Sequence, residues 1–357
     1  MTAIALVQRD TPSRAALWLS PLAAIALTLV AGAALFAAMG IDPLRGLNVF
    51  IVEPLSSARG WSELALKATP LILCGVGLAV CFRANVWNIG AEGQLIAGAI
   101  AGGGVALLAA SDTSRGWFVW VLIAAATGGA LWASITAWLR DRFNANEILV
   151  SLMLVYVAQQ LISWVVQGPW RDPQGFGFPQ SELFASAARV PIIFAGTRLN
   201  FGSVLALVAV CAIWLLLARS VIGFQLKVVG LAPLAVRYAG FSSRRSLWIA
   251  LVTSGALAGL AGGLEVAGPI GQLTANVSPG YGFAAIIVAF VGRLHPVGIV
   301  FAAMVMALFY IGGELAQSRL GLPSALTGVY QGMLLFFLLA CDTLINYRLR
   351  VRRPAAV

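Results

Sequence analysis

Apolar residues fall along this chain in long runs separated by short polar punctuation. Ten runs stand out, at residues 16–40, 63–82, 89–110, 117–139, 147–166, 201–218, 247–267, 282–291, 297–313 and 322–339. A hydrocarbon core of about 30 Å takes about 20 residues of helix, so most of these runs read as membrane spans. The stretch 41–62 holds Asp42, Pro43, Glu53 and Pro54 and reads as an external segment with a short interfacial helix. Residues 168–200 carry Pro169, Pro173, Pro179 and Pro191 among several glycines, which predicts turns and no long helix. Residues 219–246 form a polar, basic loop. The eighth run is short, and the Gly/Pro-rich polar stretch 269–281 before it reads either as a plain external loop or as a re-entrant piece that extends it. The pattern predicts an all-α membrane protein, a polytopic bundle of about ten transmembrane helices in one transmembrane domain over residues 1–357.

Composition narrows the class. Of 357 residues, 60% are hydrophobic and only 10% charged, where a soluble domain carries about 25% charged residues. That excludes an ordinary soluble enzyme and a disordered chain. There are 23 Lys and Arg against 13 Asp and Glu. Threaded through ten spans with both termini on one side, fifteen of the 23 fall on that side, among them Arg83, Arg140, Arg142, Lys227 and Arg244. Basic residues collect on the cytoplasmic face, so both termini are placed inside, and the positive charge needs no nucleic acid. The first run is longer than the 7–15-residue apolar core of a cleaved signal peptide, which makes it a retained span. Cys74, Cys81, Cys211 and Cys341 form no CxxC pair and read as free, packed thiols, and His295 has no Cys or His companion for a conventional zinc site. No P-loop, HExxH or GxSxG motif occurs. Energy must come from a partner or an ion gradient. Glycines at four-residue spacing, Gly98 and Gly102 and then Gly255, Gly259 and Gly263, predict close helix packing.

The few charges inside apolar runs draw the eye next, because a charge in hydrocarbon is costly and faces a cavity or partner. Glu147 sits beside Arg140 and Arg142 and reads as interfacial, and Lys67 and Glu314 lie near span ends. Glu92 and Glu265 are deeper. Glu92 lies in Asn88-Ile89-Gly90-Ala91-Glu92-Gly93-Gln94, which reads as a helix start capped by Asn88 with Glu92 opposing the dipole, as a broken helix lining a solute path, or as both. A second polar stretch, 271–282, offers Gln272, Asn276 and Ser278 for hydrogen bonds to a neutral solute, with Tyr281 and Phe283 for stacking. Its two readings remain a short external loop and a re-entrant gate. In the basic loop, Ala232, Ala235, Val236 and Ala239 recur at helical spacing, with Pro233 in the first turn and Gly240 at the end. They predict a short helix whose small-residue face docks on a partner or lies on lipid headgroups.

Taken together these stretches resemble the permease subunits of bacterial ABC importers for ribose-type sugars and nucleosides, and most of all the longer permease of nucleoside importers fed by BMP-type lipoproteins. The resemblance runs from about Pro54 to Asn346. It is carried by Lys67-Ala68-Thr69-Pro70-Leu71-Ile72-Leu73, by the Asn88 to Gln94 stretch, by Asn146-Glu147-Ile148, by Gly168-Pro169-Trp170 and by Pro279-Gly280-Tyr281-Gly282-Phe283. One departure is Cys81-Phe82-Arg83-Ala84-Asn85, where a Phe-Arg-Ala-Gly-like turn is the family's pattern.

The resemblance implies a pore-forming, non-enzymatic permease that imports nucleosides or simple sugars across the bacterial cytoplasmic membrane by alternating access. It implies a coupling helix within 223–240, through Gly230, Ala232, Pro233, Ala235, Arg237, Tyr238 and Gly240, that docks on the ATPase. Implied partners are ABC ATPase subunits holding ATP and Mg, a second permease that is a paralogue rather than an identical copy, and an extracytoplasmic lipoprotein that meets the external face, including 168–200. The chain itself binds no cofactor or metal in this reading. On this reading the solute path takes in Asn88, Glu92, Gln94, Gln272, Asn276, Ser278, Tyr281 and Phe283. The competing reading is an ion-coupled secondary transporter using Glu92 or Glu265.

Overall fold

The structure, a computed structural model, describes residues 3–8, 14–110, 114, 116–232, 236, 238 and 240–352. Pro233, Ala235, Arg237 and Ala239 of the expected coupling helix lie outside the described residues. The helices are α1 (Arg14–Ala38), α2 (Pro43–Leu47), α3 (Glu53–Leu55), α4 (Ala58–Arg83), α5 (Ala91–Leu107), α6 (Trp117–Phe143), α7 (Glu147–Gln167), α8 (Phe201–Arg219), α9 (Val221–Leu231), α10 (Ser243–Glu265), α11 (Tyr281–Val291), α12 (Pro296–Leu320) and α13 (Leu326–Asn346). Short π-helical turns, Asn48–Val52 and Val266–Ile270, join α2 to α3 and end α10. Eight helices among the described residues, α1, α4, α6, α7, α8, α10, α12 and α13, are long and apolar enough to cross a membrane.

The polytopic helical bundle is therefore as expected: beside the eight long helices, the two remaining runs form shorter apolar helices. The third and eighth runs become α5 and α11, of 17 and 11 residues. At 1.5 Å per residue these cover about 26 and about 17 Å, short of a full hydrocarbon core. Non-helical backbone, residues 84–90 and 271–280, leads into each of them. Outside the bundle, Ala3–Gln8 pairs antiparallel with Tyr347–Arg352. Tyr347, Leu349 and Val351 alternate there with Arg348, Arg350 and Arg352, the period of a strand.

The chain divides into two compact units, residues 1–60 with 308–357 and residues 61–307. The first is built on a buried aromatic cluster. Phe50 stacks on Tyr330 at 4.3 Å between ring centroids, and Phe36 and Phe309 close on the same pair at 6.2 and 5.9 Å from Phe50. Rings offset or edge-on in this way add to the area that they bury. Arg319 pairs with Glu53 at 3.1 Å.

The second unit is organised around α4, whose apolar window is 89% buried. α10 lies antiparallel to it: Gly77 rests on Ser254 and the Cys81 thiol donates to the Ala250 carbonyl at 3.2 Å. α5, α6 and α10 pack backbone to backbone. A Cβ on Gly98 would run into the backbone of Gly259, and one on Gly129 into Gly255 and Gly259. The four-residue glycine spacing is thus packing, as predicted. The departure at Asn85 is accommodated locally, since Asn85 takes a left-handed conformation, φ 55°, which asparagine tolerates better than most residues. Glu147 binds Arg140 at 3.3 Å at the start of α7, where Asn146 caps the helix by accepting from Ile148 N at 2.9 Å.

Gly98→Val is expected to lower the melting midpoint of the purified chain, because overpacking a tight contact typically costs about 1–3 kcal/mol. Gly332→Ala, whose Cβ would meet nothing within 4 Å, is expected to leave it unchanged or raise it, by about 0.5–1 kcal/mol. Fluorescence-monitored melting in detergent separates the two.

Candidate functional site

Two short helices meet head to head inside the second unit. α5 runs alongside α10, with Asn88 near Ser254 and Gly98 on Gly259. α11 runs alongside α4, with Gly75 against Ala285 and Val288 and Phe82 stacked on Phe290 at 5.1 Å. Because α4 and α10 are antiparallel, α5 and α11 point in opposite directions, and their N-termini face each other. Gly282 sits so close to the backbone of Ala91 and Glu92 that a Cβ there has no room. That requirement is steric, since Gly282 lies in ordinary helix.

Glu92, 2% exposed, lies at this meeting point. Its carboxylate accepts from Gly282 N at 2.6 Å, with the Gly280 amide and the Ser278 hydroxyl beside it. Ser278 in turn accepts from Gly280 N and Tyr281 N at 3.2 and 3.0 Å, which fixes the turn into α11, whose N-cap residue is Gly280. One carboxylate therefore sits in the first turn of its own helix and on the amide-lined start of a second. Both helix dipoles favour negative charge there.

A second network fixes the approach to α5. Asn88, fully buried, and Gln94 form a reciprocal amide pair at 3.0 and 3.1 Å. Asn88 also donates to the Ser254 hydroxyl at 3.0 Å and accepts from Gly90 N at 3.0 Å. The expected cap is corrected here. Gly90 is the N-cap residue of α5 with no side-chain cap, while Asn88 closes a turn onto Gly90, two residues on. Ser151 accepts from Ile89 N at 3.2 Å. Ser151 and Ser254 escaped the sequence reading. Their signal was a hydroxyl in an apolar helix, which becomes specific only once the facing partner is known.

The remaining path residues scatter. Tyr281 is fully buried, with the Lys67 ammonium 5.9 Å from its ring centroid. Gln272 donates to Gln180 at 3.1 Å in a seam between 271–274 and the external loop. That seam also holds Ser181 N to Leu273 O, Leu273 N to Ser181 Oγ and Phe184 N to Gly271 O, all at 2.9 Å. Leu273 and Val277 are buried beneath it. Asn276 and Phe283 are exposed and belong to neither network. Glu265 and Lys67 line a cleft of about 140 Å³ with Leu66, Arg198, Pro269 and Ile270.

In the basic loop, the helix described in full is α9, N-capped by Ser220, which lies ahead of the small-residue stretch. Gly230 lies on the Arg83 carbonyl with no room for a Cβ. Ala232 is exposed just past the helix end, Val236 is buried, Tyr238 is 95% exposed and Gly240 is left-handed at φ 73°.

Glu92→Ala removes the acceptor from buried amides, and each unsatisfied group costs about 1–3 kcal/mol. Melting of the detergent-purified chain is expected to fall by several degrees for Glu92→Ala and by less for Glu92→Gln, which keeps an acceptor oxygen.

The likeness to known proteins extends over nearly all of this architecture. The chain is 34% identical to the glucose ABC transporter permease protein TsgB13 of Haloferax volcanii, over 97% of this chain and 94% of that protein. It is 32% identical to the guanosine ABC transporter permease protein NupP of Bacillus subtilis, over 89% and 92%. It is 28% identical to the nucleoside ABC transporter permease protein NupB of Lactococcus lactis, over 90% of each. A family model described as branched-chain amino acid transport system / permease component matches residues 60–339, which include both half-helices and every path residue named above. The chain belongs to that family: it is a multi-pass membrane permease subunit that works with an ABC ATPase, and not an enzyme.

Proposed function

We propose that this permease forms the pore of an ATP-driven importer of nucleosides or simple sugars in the bacterial cytoplasmic membrane. The substrate class is carried by the likeness to relatives named for glucose, guanosine and nucleosides over some nine-tenths of the chain. The geometry supports the same reading. Apart from Glu92, the polar side chains buried in the second unit's helices and their breaks are amides and hydroxyls. Glu92 is bound by the Gly282 backbone amide of the facing helix, which suits a structural tie and not a carrier that must load and release an ion.

The loop that contains α9 and 232–240 docks on the ATPase in this proposal, and ATP and Mg bind to that partner. Gly230 sits directly on Arg83, from which residues 84–90 lead to Asn88 and α5. A push on α9 is therefore delivered to the start of a half-helix, and the bundle switches between outward- and inward-facing states. A paralogous permease completes the channel, and a binding lipoprotein delivers solute to the face that contains residues 168–200. With fifteen of 23 basic residues on one side, both termini are cytoplasmic.

Proteoliposomes holding this chain with its ATPase, partner permease and lipoprotein are expected to take up labelled guanosine or glucose only with internal-face ATP. Uptake by this chain alone, driven by a proton or sodium gradient, would overturn the proposal in favour of Glu92 or Glu265 as an ion site. Tyr238→Ala, at a position 95% exposed, is expected to cut ATP-driven uptake at least tenfold while its level in the membrane stays normal, as an immunoblot of membranes would show.

A further inference from the structure

α7 turns a polar stripe outward over its C-terminal half, past the exposed Leu149 and Met153. Its inner face is apolar or small: Ser151, Val155, Ala158, Ile162 and Val165 are buried. The opposite face carries Tyr156, Gln160, Ser163 and Gln167 at helical spacing, with Trp164 beside them. Tyr156 is 58% and Trp164 64% exposed, and Gln160 and Gln167 are exposed as well. Among the described residues none of these amides and hydroxyls has a hydrogen-bond partner. α8 shows what a lipid-facing surface looks like in the same unit, since its outward residues are Val204, Leu207, Val208 and Leu215. An amide left without partners in hydrocarbon costs several kcal/mol; Gln167 is the last residue of α7, but Gln160 lies two turns inside the helix, so this face does not lie against lipid.

The stripe also has a shape. Gln160, Ser163, Trp164, Gln167 and Gly168 line a groove of about 350 Å³, within the range that holds small-molecule ligands. Its chemistry is two amides, a hydroxyl and an indole, with no ionisable group. Amides and hydroxyls exchange hydrogen bonds with hydroxyl-bearing solutes, and the indole offers a flat apolar face.

We infer that this groove on α7 is a solute-binding wall of the translocation path, taking a neutral polyhydroxylated solute through Gln160, Ser163 and Gln167 with Trp164 against its flat face. The groove is open on one side, so a second subunit must close it. The inference rests on the importer reading and locates its solute contacts away from the tightly packed junction of α5 and α11, where Gly282 and Glu92 leave no space.

The test uses the reconstituted complex in a Cys211→Ala background, because Cys211 is the exposed native cysteine among the four. Single cysteines replace Gln160, Gln167 and, as a lipid-facing control, Leu207. A charged, membrane-impermeant methanethiosulfonate reagent is expected to modify the two α7 positions at least tenfold faster than Leu207→Cys, since only a wetted thiol ionises and reacts. Saturating guanosine or glucose, whichever the complex transports, is expected to slow that reaction. The double variant Gln160→Leu, Gln167→Leu, which a lipid-facing helix would accept, is expected to raise the KM for uptake at least tenfold while still co-purifying with the ATPase. Reaction no faster than at Leu207→Cys, or an unchanged KM in the double variant, overturns the inference. If the wild-type complex transports neither solute, the substrate assignment falls, and the thiol reactivities still decide whether the groove is wet.

Discussion

The carboxylate of Glu92 is placed where two helix starts meet, and much of the second unit is arranged to make that possible. A buried charge is tolerable only when every lone pair finds a donor. Here the Gly282 amide donates directly, with the Gly280 amide and the Ser278 hydroxyl beside the carboxylate. Those donors exist because α11 begins at that point and not ten residues earlier. The same carboxylate opposes the dipole of α5, so a single side chain holds two opposed half-helices by their N-termini. Each half-helix leaves irregular backbone behind it, at 84–90 and 271–280, and such backbone persists at depth only where protein covers it. The amide pair of Asn88 and Gln94 satisfies the first stretch, and the external loop around Ser181 and Phe184 satisfies the second.

Close packing supplies the other half of the arrangement. Lipid gives apolar helices no reason to associate, so association comes from backbone approach and interhelical hydrogen bonds. The glycines shared by α5, α6 and α10 let three helices meet at backbone distance, and α4 is enclosed beside them. A junction of this density transmits displacement well, because packed elements shift as units and do not compress. The contact between Gly230 and Arg83 connects the cytoplasmic helix α9 to that junction through the short stretch 84–90. The groove on α7 lies on the opposite face of a helix whose inner side, at Ser151, binds the same stretch. Thus one helix joins the polar junction on its inner side to the polar surface on its outer side.

The residues divide clearly between those whose role was readable in one dimension and those whose role needed the partner in view. Glu92 announced itself, because a carboxylate among glycines and amides in an apolar run has few explanations. Its partner did not, for Gly282 has no side chain and lies 190 positions away. Asn88 and Gln94 were readable as polar and deep, but their mutual pairing was not. The sequence offers Gln272 as a solute contact, and in the structure its amide donates to Gln180. Ser151 and Ser254 were invisible for the opposite reason, since a lone serine in a membrane helix usually bonds its own backbone. The polar stripe of α7 was present in the sequence as Tyr156, Gln160, Ser163 and Gln167, yet periodicity alone does not say which face of a helix is the inner one.

The sequence by itself determined the class: a chain of apolar runs with basic residues biased to one side is a polytopic helical membrane protein, because hydropathy and charge act on each segment independently of its neighbours. It also determined which segments are irregular, since glycine, proline and asparagine impose their turns locally. Only the tertiary structure decided that two of the expected spans are half-helices, that their N-termini share one carboxylate, and that the outward face of α7 is the polar one. Those outcomes depend on which helix lies beside which, and in a membrane that choice is made by backbone approach and by satisfied polar groups, neither of which belongs to any single segment.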